Sequence, residues 1–293
     1  MRYISPSVWL RAAVGVWVGT GAPAIGAETL YLPRPDGVVA YDDTGGTGPV
    51  VVEVPGMGDV RGEYRFLTPI LAAAGYRVVS LDVRGHGQSS AVWPDYSAHA
   101  VGGDVLALID HLGGGPATVI GTSFAAGSAL WAAHDAPARV RSVVLISPMV
   151  TEVKLSFAAR ATLAVAFAGP WRVAFWSWYW NKLFPLHKPA DHAAYQAALL
   201  ANLRAPGRMD ALYTMLTLSK ADTAAIIDTV HTPALLIVGS KDMDFADPAA
   251  DGAKLAARIG GALLLVDGAG HYPQVEAPDI VAPTVLKFLH TYR

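Results

Sequence analysis

Apolar residues along this chain gather into short runs separated by periodic, more polar segments. Val50 to Val54, Arg77 to Leu81, Val140 to Ile146, Ala234 to Val238 and Ala262 to Val266 are near-continuous aliphatic stretches of strand length, the signature of strands buried on both faces. Thr29 to Leu32 and Val38 to Tyr41 are shorter candidates, and Val119-Ile120 opens another. Between the runs, helical periods end at glycine: Gly62 to Ala74 stops at Gly75, and Ala98 to Leu112 stops at Gly113-Gly114-Gly115. A further helix is expected from Ser123 to about His134, and Val281 to His290 should close the domain. Strands alternating with helices in this way predict the α/β class, a mainly parallel, doubly wound sheet flanked by helices.

Pro148 to Val230 breaks the rhythm. It is helical in pattern throughout and separates the sixth candidate core strand from the seventh, so the chain divides into residues 28–147, an inserted 148–230 and residues 231–293. Within the insertion Trp171, Phe175, Trp176, Trp178, Tyr179, Trp180 and Phe184 crowd together. Positions 171, 175 and 178 share one helix face, while 176 and 180 share another. Three uses are open for this stripe. It can form the core of the insertion, it can line a substrate pocket through Trp171, Phe175 and Trp178, or it can touch lipid beside Arg172 and Lys182.

The candidate chemistry starts where the run Val119-Ile120 meets Gly121-Thr122-Ser123-Phe124-Ala125-Ala126-Gly127. A strand passing directly into a helix makes a sharp turn whose apex residue is strained, with its side chain clear of the backbone. Ser123 at that apex is the candidate nucleophile, and the Phe124 N–H is free to face a developing oxyanion. The same heptad also reads as an ordinary helix start capped by Ser123. Two later loops supply partners. Gly239-Ser240-Lys241-Asp242 places a carboxylate past one strand, and Asp267-Gly268-Ala269-Gly270-His271 delivers an imidazole past the next. In open α/β sheets such groups collect beyond the carboxyl ends of the strands, which brings distant residues together. Serine needs this company, because its hydroxyl is a poor nucleophile at neutral pH until a base takes the proton and a carboxylate orients the base.

Taken together, these motifs resemble the α/β-hydrolase family, over roughly Val38 to the C-terminus apart from the insertion. The elbow is similar to the family's G-x-S-x-G, with Ala125 in place of the last glycine. Val54-Pro55-Gly56-Met57-Gly58 resembles the oxyanion loop, with Pro55 replacing the usual histidine, and the resemblance implies a second oxyanion donor at the Met57 N–H. Asp82-Val83-Arg84-Gly85-His86-Gly87-Gln88-Ser89 resembles the family's D-x-R-G-x-G-x-S turn and is read as architectural, with His86 bonding backbone. The family pattern favours Asp242 over its neighbours Asp244 and Asp247 as the acid, completes the trio Ser123, Asp242 and His271, and makes the insertion a helical cap. Relatives that open epoxides or remove halide use aspartate at the elbow, so Ser123 points to acyl transfer. The resemblance implies a serine hydrolase cleaving esters with an apolar acyl or aromatic portion. Two alternatives stand beside it: the same trio can cleave a carbon–carbon bond or pass the acyl group to peroxide, and a catalytically silent relative can bind a small apolar ligand.

Composition narrows the field. A formal charge of −2 and a pI near 6.5, with no basic stripe, give no case for nucleic acid. With no cysteine, a cysteine nucleophile, a disulfide and cysteine-based zinc sites are excluded. No H-E-x-x-H and no phosphate loop are present, so neither a metal nor another cofactor is expected. The expected partner is a small-molecule ester, with peripheral lipid contact as an addition and no protein partner implied. Arg2 and Arg11 border the apolar stretch Ala12 to Val18, and small residues follow to Ala27. This pattern predicts a secretory signal peptide cut after Ala27, hence a secreted or periplasmic protein, with an N-terminal helix in a cytoplasmic one as the alternative.

Overall fold

A computed structural model describes residues 28–152 and 156–293. The expected signal peptide lies outside these residues.

The aliphatic runs become eight strands of one sheet: β1 (Leu30–Arg34), β2 (Gly37–Asp43), β3 (Val50–Val54), β4 (Arg77–Leu81), β5 (Ala117–Thr122), β6 (Val140–Ile146), β7 (Ala234–Gly239) and β8 (Ala262–Val266). Their spatial order is β1-β2-β4-β3-β5-β6-β7-β8. Contacts from β4 to β8 are parallel, while the β1–β2 and β2–β4 contacts are antiparallel, so β2 alone is reversed. The chain winds one way from β3 to β4 and the other way from β5 onward. The carboxyl ends of β3 and β5 therefore sit at the switch point, where such sheets open a crevice. Central β5 and β7 are buried along their whole length, which is why their sequences carry no polar face. Strand β8 differs from the buried strand that its sequence predicts. It is the sheet's edge, paired only with β7, and Ala262 and Leu265 are exposed.

Helices cover both faces: α1 (Thr68–Ala73), α2 (Ala98–His111), α3 (Phe124–Asp135), then α4 (Phe157–Ala168), α5 (Arg172–Lys182), α6 (His192–Leu203), α7 (Arg208–Thr217) and α8 (Ala221–Ile226) between β6 and β7, and finally α9 (Pro248–Ile259), α10 (Pro273–Glu276) and α11 (Pro278–Thr291). The helix expected from Gly62 to Ala74 is broken into a short 3-10 turn, Arg61–Tyr64, and α1. The break has a cause. Glu63 and Tyr64 turn inward to bond groups at the ends of β3 and β5, and Pro69 then starts a new helix. In the insertion, α8 sits on the main core. Thr223 accepts the Trp131 indole N–H at 3.0 Å, and Ile226, Ile227 and Val230 join the cluster under α2 and α3. The segment standing above the sheet is thus α4 to α7, with its own cluster of Phe167, Trp176, Trp180, Leu199, Leu203 and Leu212.

Candidate active site

Ser123 is the single residue between the end of β5 and the start of α3, so it must make the whole turn. Its φ of 57° is positive, with ψ at −119°, and among the described non-glycine residues only Ser147 shares a positive φ. Such a residue costs on the order of 1–3 kcal/mol and persists only where its surroundings hold it. Here the Ser123 N–H donates to Ile146 O at 2.7 Å, and its carbonyl accepts from Ala126 at 3.1 Å and Met149 at 3.2 Å. A methyl group on Gly121 would collide with the Ala125 carbonyl, so that glycine is required. Ala125 itself is buried and carries its methyl inside α3.

The carboxylate and the imidazole meet. Asp242, beyond β7, and His271, beyond β8, are both buried, and His271 Nδ1 lies 2.9 Å from Asp242 Oδ2 and 3.1 Å from Oδ1. Asp244 Oδ2 is 3.5 Å away, too far for a good hydrogen bond, while the Asp244 N–H supports Asp242 Oδ1 at 3.1 Å. Asp244 therefore backs the pair instead of replacing Asp242. Gly239 lets the two loops touch, because a side chain there would strike the Ala269 and Gly270 carbonyls. Burial opposes charge on both groups, yet each stabilises the other. The imidazole holds the Asp242 carboxyl below its ordinary value, and the carboxylates of Asp242 and Asp244 raise His271 to about 9. With Nδ1 committed to Asp242, Nε2 is the nitrogen available for chemistry. Asp242, Asp244 and His271 are also the one trio among the described residues whose donor atoms lie within 4.8 Å of one another, but Nδ1 is already engaged.

The loop after β3 lies against the elbow. A methyl added to Gly56 would stand 3.4 Å from Ser123 Cβ. The Gly56 N–H is taken by Glu63 Oε2 at 2.9 Å, and the Gly58 N–H by His86 Nε2 at 2.9 Å. Burial pushes His86 down to about 4, so it is neutral. Its Nδ1–H donates to Arg84 O and leaves Nε2 as an acceptor. Among the described residues no hydrogen bond engages the Met57 or the Phe124 N–H. Three residues that sequence reasoning missed, Glu63, Tyr64 and Gln274, tie the loops together. The Gln274 side-chain N–H donates to Glu63 Oε1 at 2.8 Å and reaches Thr122 Oγ1 at 3.4 Å, linking the segment after His271, the 3-10 turn after the β3 loop and the end of β5. Tyr64 adds bonds to Val54 O and Thr122 Oγ1, both at 2.8 Å. Burial, then the nearby Asp59 carboxylate, drives Glu63 up to about 8. No motif marks Glu63 or Gln274; only the unexpected break between Arg61–Tyr64 and α1 hints at an inward acid.

The face of α5 that packs on the loop after β3 is the opposite one to that singled out in the sequence. Trp176 packs over Gly58, whose missing side chain makes room for the indole. Trp180 donates to Asp59 Oδ2 at 3.1 Å, Tyr195 bonds the other Asp59 oxygen, and Tyr179 donates to Asp244 Oδ1 at 2.5 Å. Asp59 and Asp244 thus fasten the insertion to the two loops that flank the elbow. Trp171 and Trp178 are instead more than half exposed, and Phe175 is half-buried against Phe167. The structure does not bring those three to Ser123. The Asp82 turn is architectural in geometry: buried Asp82 accepts the Arg61 and Gln88 N–H groups at 2.8 Å each, and Arg84 clasps Asp104.

Comparison with known proteins agrees with this fold. Residues 49–278 match the alpha/beta hydrolase fold family. Epoxide hydrolase B of Mycobacterium tuberculosis is 39% identical over 102 residues, covering 34% of this chain and 29% of that protein. The 3-oxoadipate enol-lactonase 1 of Acinetobacter baylyi is 29% identical over 210 residues, covering 70% of this chain and 75% of the lactonase. A bromoperoxidase of Bacillus anthracis superposes with a TM-score of 0.78 at 21% identity, over 90% of this chain and 100% of that one, a likeness of fold. The chain spans about 30% of the length of the curated relatives with which it shares 39% identity.

Proposed function

The chain belongs to the alpha/beta hydrolase fold family, and from that premise we propose that it is a serine hydrolase cleaving carboxylic esters with an apolar acyl or aromatic portion. One observation carries the reading: a positive-φ Ser123 at a strand–helix junction, beside a loop whose Met57 N–H is unengaged, in a fold that also buries an Asp242–His271 pair. Ser123 Oγ attacks the ester carbonyl while His271 Nε2 takes its proton. Asp242 orients the ring and stabilises the imidazolium without taking up the proton itself. The oxyanion is received by the Met57 and Phe124 N–H groups, each such donor being worth about 3 kcal/mol of barrier. His271 then returns the proton to the leaving alcohol, and water, activated by the same imidazole, releases the acid from the acyl-enzyme.

The relatives bear on the bond attacked. A lactone is a cyclic ester, which fits the enol-lactonase likeness over most of the chain. The epoxide hydrolase likeness covers under a third of that enzyme, and epoxide-opening members of the family carry aspartate where this chain has Ser123. Apolar substrate is favoured by the Trp176 indole above Gly58 and by half-buried Met57 beside it. The test is covalent labelling with a fluorophosphonate, followed by a p-nitrophenyl ester chain-length series. Wild type should be labelled and Ser123→Ala should not. Labelling that persists in the variant, or a wild type that neither labels nor turns over esters, overturns the reading.

A further inference from the structure

We propose that the outward face of α4, extended by Trp171 and Trp178, docks the protein on the surface of an anionic lipid bilayer. This inference does not depend on the role of Ser123. In α4 the residues Phe157, Ala161, Ala164, Val165 and Ala168 recur at i, i+4, i+7, i+8 and i+11, one continuous helix face. That spacing ordinarily marks a buried stripe. Here all five are exposed, Phe157 by 89% and Val165 by 63%, and the helix buries only Ala166 and Phe167. Trp171 prolongs the stripe: its indole N–H donates to Val165 O at 2.9 Å and its ring covers Gly169. Trp178, seven residues on, lies on the same side of α5, and the two tryptophans are 52% and 56% exposed. An exposed apolar strip of this kind marks an interaction surface, and tryptophan at its border suits the zone between headgroup and acyl chain.

Charge selects the occupant. From Ser156 to Ala190 the chain has no acidic residue but carries Arg160, Arg172, Lys182 and Lys188; Arg172 is paired with Asp210 at 2.5 Å, which leaves Arg160, Lys182 and Lys188 as the positive charge of a segment in a protein that is net negative at −2. Lys182 stands 5.4 Å from the Trp178 ring, and Arg160 rises from α4 itself. A symmetric contact with a second copy would set this positive segment against itself, which like-charge repulsion opposes. Anionic headgroups meet it with the opposite sign while the apolar stripe enters the interface, the arrangement of a helix lying in the membrane plane. The reverse side of α5 covers Gly58 with Trp176, so docking would hold the loop after β3 near the lipid boundary.

The experiment is co-sedimentation of the full chain with vesicles of phosphatidylcholine alone and with about one third phosphatidylglycerol, at low ionic strength. Binding should be about tenfold stronger with the anionic lipid. The double variant Phe157→Glu, Val165→Glu alters only exposed side chains, so it should keep the wild-type melting temperature while losing about tenfold of that binding. Equal binding to both vesicle types, or equal binding by variant and wild type, overturns the proposal. So does light scattering that shows a dimer which the variant splits, with no vesicle binding by either form.

Discussion

Position 125 departs from the usual elbow pattern, and local geometry explains why alanine serves. The steric demand of the turn falls on Gly121, where a methyl would meet the Ala125 carbonyl, while residue 125 is already a helix position. Ala125→Gly should therefore leave fluorophosphonate labelling within a few-fold and cost about 0.5–1 kcal/mol through helix propensity. Gly121→Ala should cost about 1–3 kcal/mol by overpacking and depress labelling steeply. Melting curves and labelling rates of the two variants check the asymmetry, and equal effects would remove it. The imidazole sets a second expectation. His271 accepts a proton only when neutral, and its pKa is raised to about 9, so kcat/KM should climb with pH and level off near that value. Asp242→Asn removes the main charge that raises it. The kinetic pKa should then fall toward the ordinary histidine range while the rate drops by about 10⁴. A wild-type profile already flat from pH 6 to 9 would contradict the assignment.

At the scale of elements, what the sequence disclosed depended on how much of each segment's environment was uniform. β5 and β7 are buried on both faces, so their aliphatic runs are unambiguous, and loops that begin where such strands end put Ser123 and Asp242 at one edge of the sheet. The same reasoning failed at β8, because an aliphatic run reads alike in a central strand and at an edge half-covered by helices. It failed again at Gly62 to Ala74. There Glu63 leaves the helical path to bond Gly56 and Gln274, partners 7 and 211 residues distant, and no local pattern registers a contact of the second kind. In α5 the periodicity correctly separates the face of Trp171, Phe175 and Trp178 from that of Trp176 and Trp180. Which face turns inward is decided by Gly58 and Asp59, in a loop more than a hundred residues upstream.

For the whole molecule, buried ionisable groups make stability depend on pH in a definite direction. Glu53, fully buried in β3, accepts the Thr68 and Ser80 hydroxyls at 2.6 and 2.5 Å, but burial outweighs those bonds and pushes its carboxyl up to about 7 from an ordinary value of 4.5. Below pH 4.5 both the folded and the unfolded chain hold this proton, and nothing is lost. Between 4.5 and 7 the unfolded chain releases it first, so stability declines, by about 3 kcal/mol once the folded form has ionised too. Glu63, raised to about 8, adds a loss of the same sign. His271 also contributes in that direction, since stability gained from its charged form is complete below about 6.5 and disappears as pH rises through 9. Asp242 works on the acid side: its lowered pKa gives stability above its ordinary value that is lost as pH falls. His86, held down to about 4, opposes these losses between about 4 and 6.5, where the unfolded chain binds the proton, so the melting temperature should peak near pH 5 and fall most steeply from about 6.5 toward pH 9. Glu53→Gln keeps an acceptor for Thr68 and Ser80 and has no proton to lose, so its melting temperature should fall several degrees less between pH 5 and 8 than that of the wild type. Calorimetric scans across that range decide the matter, and parallel curves for the two proteins would show that Glu53 is not the source of the decline.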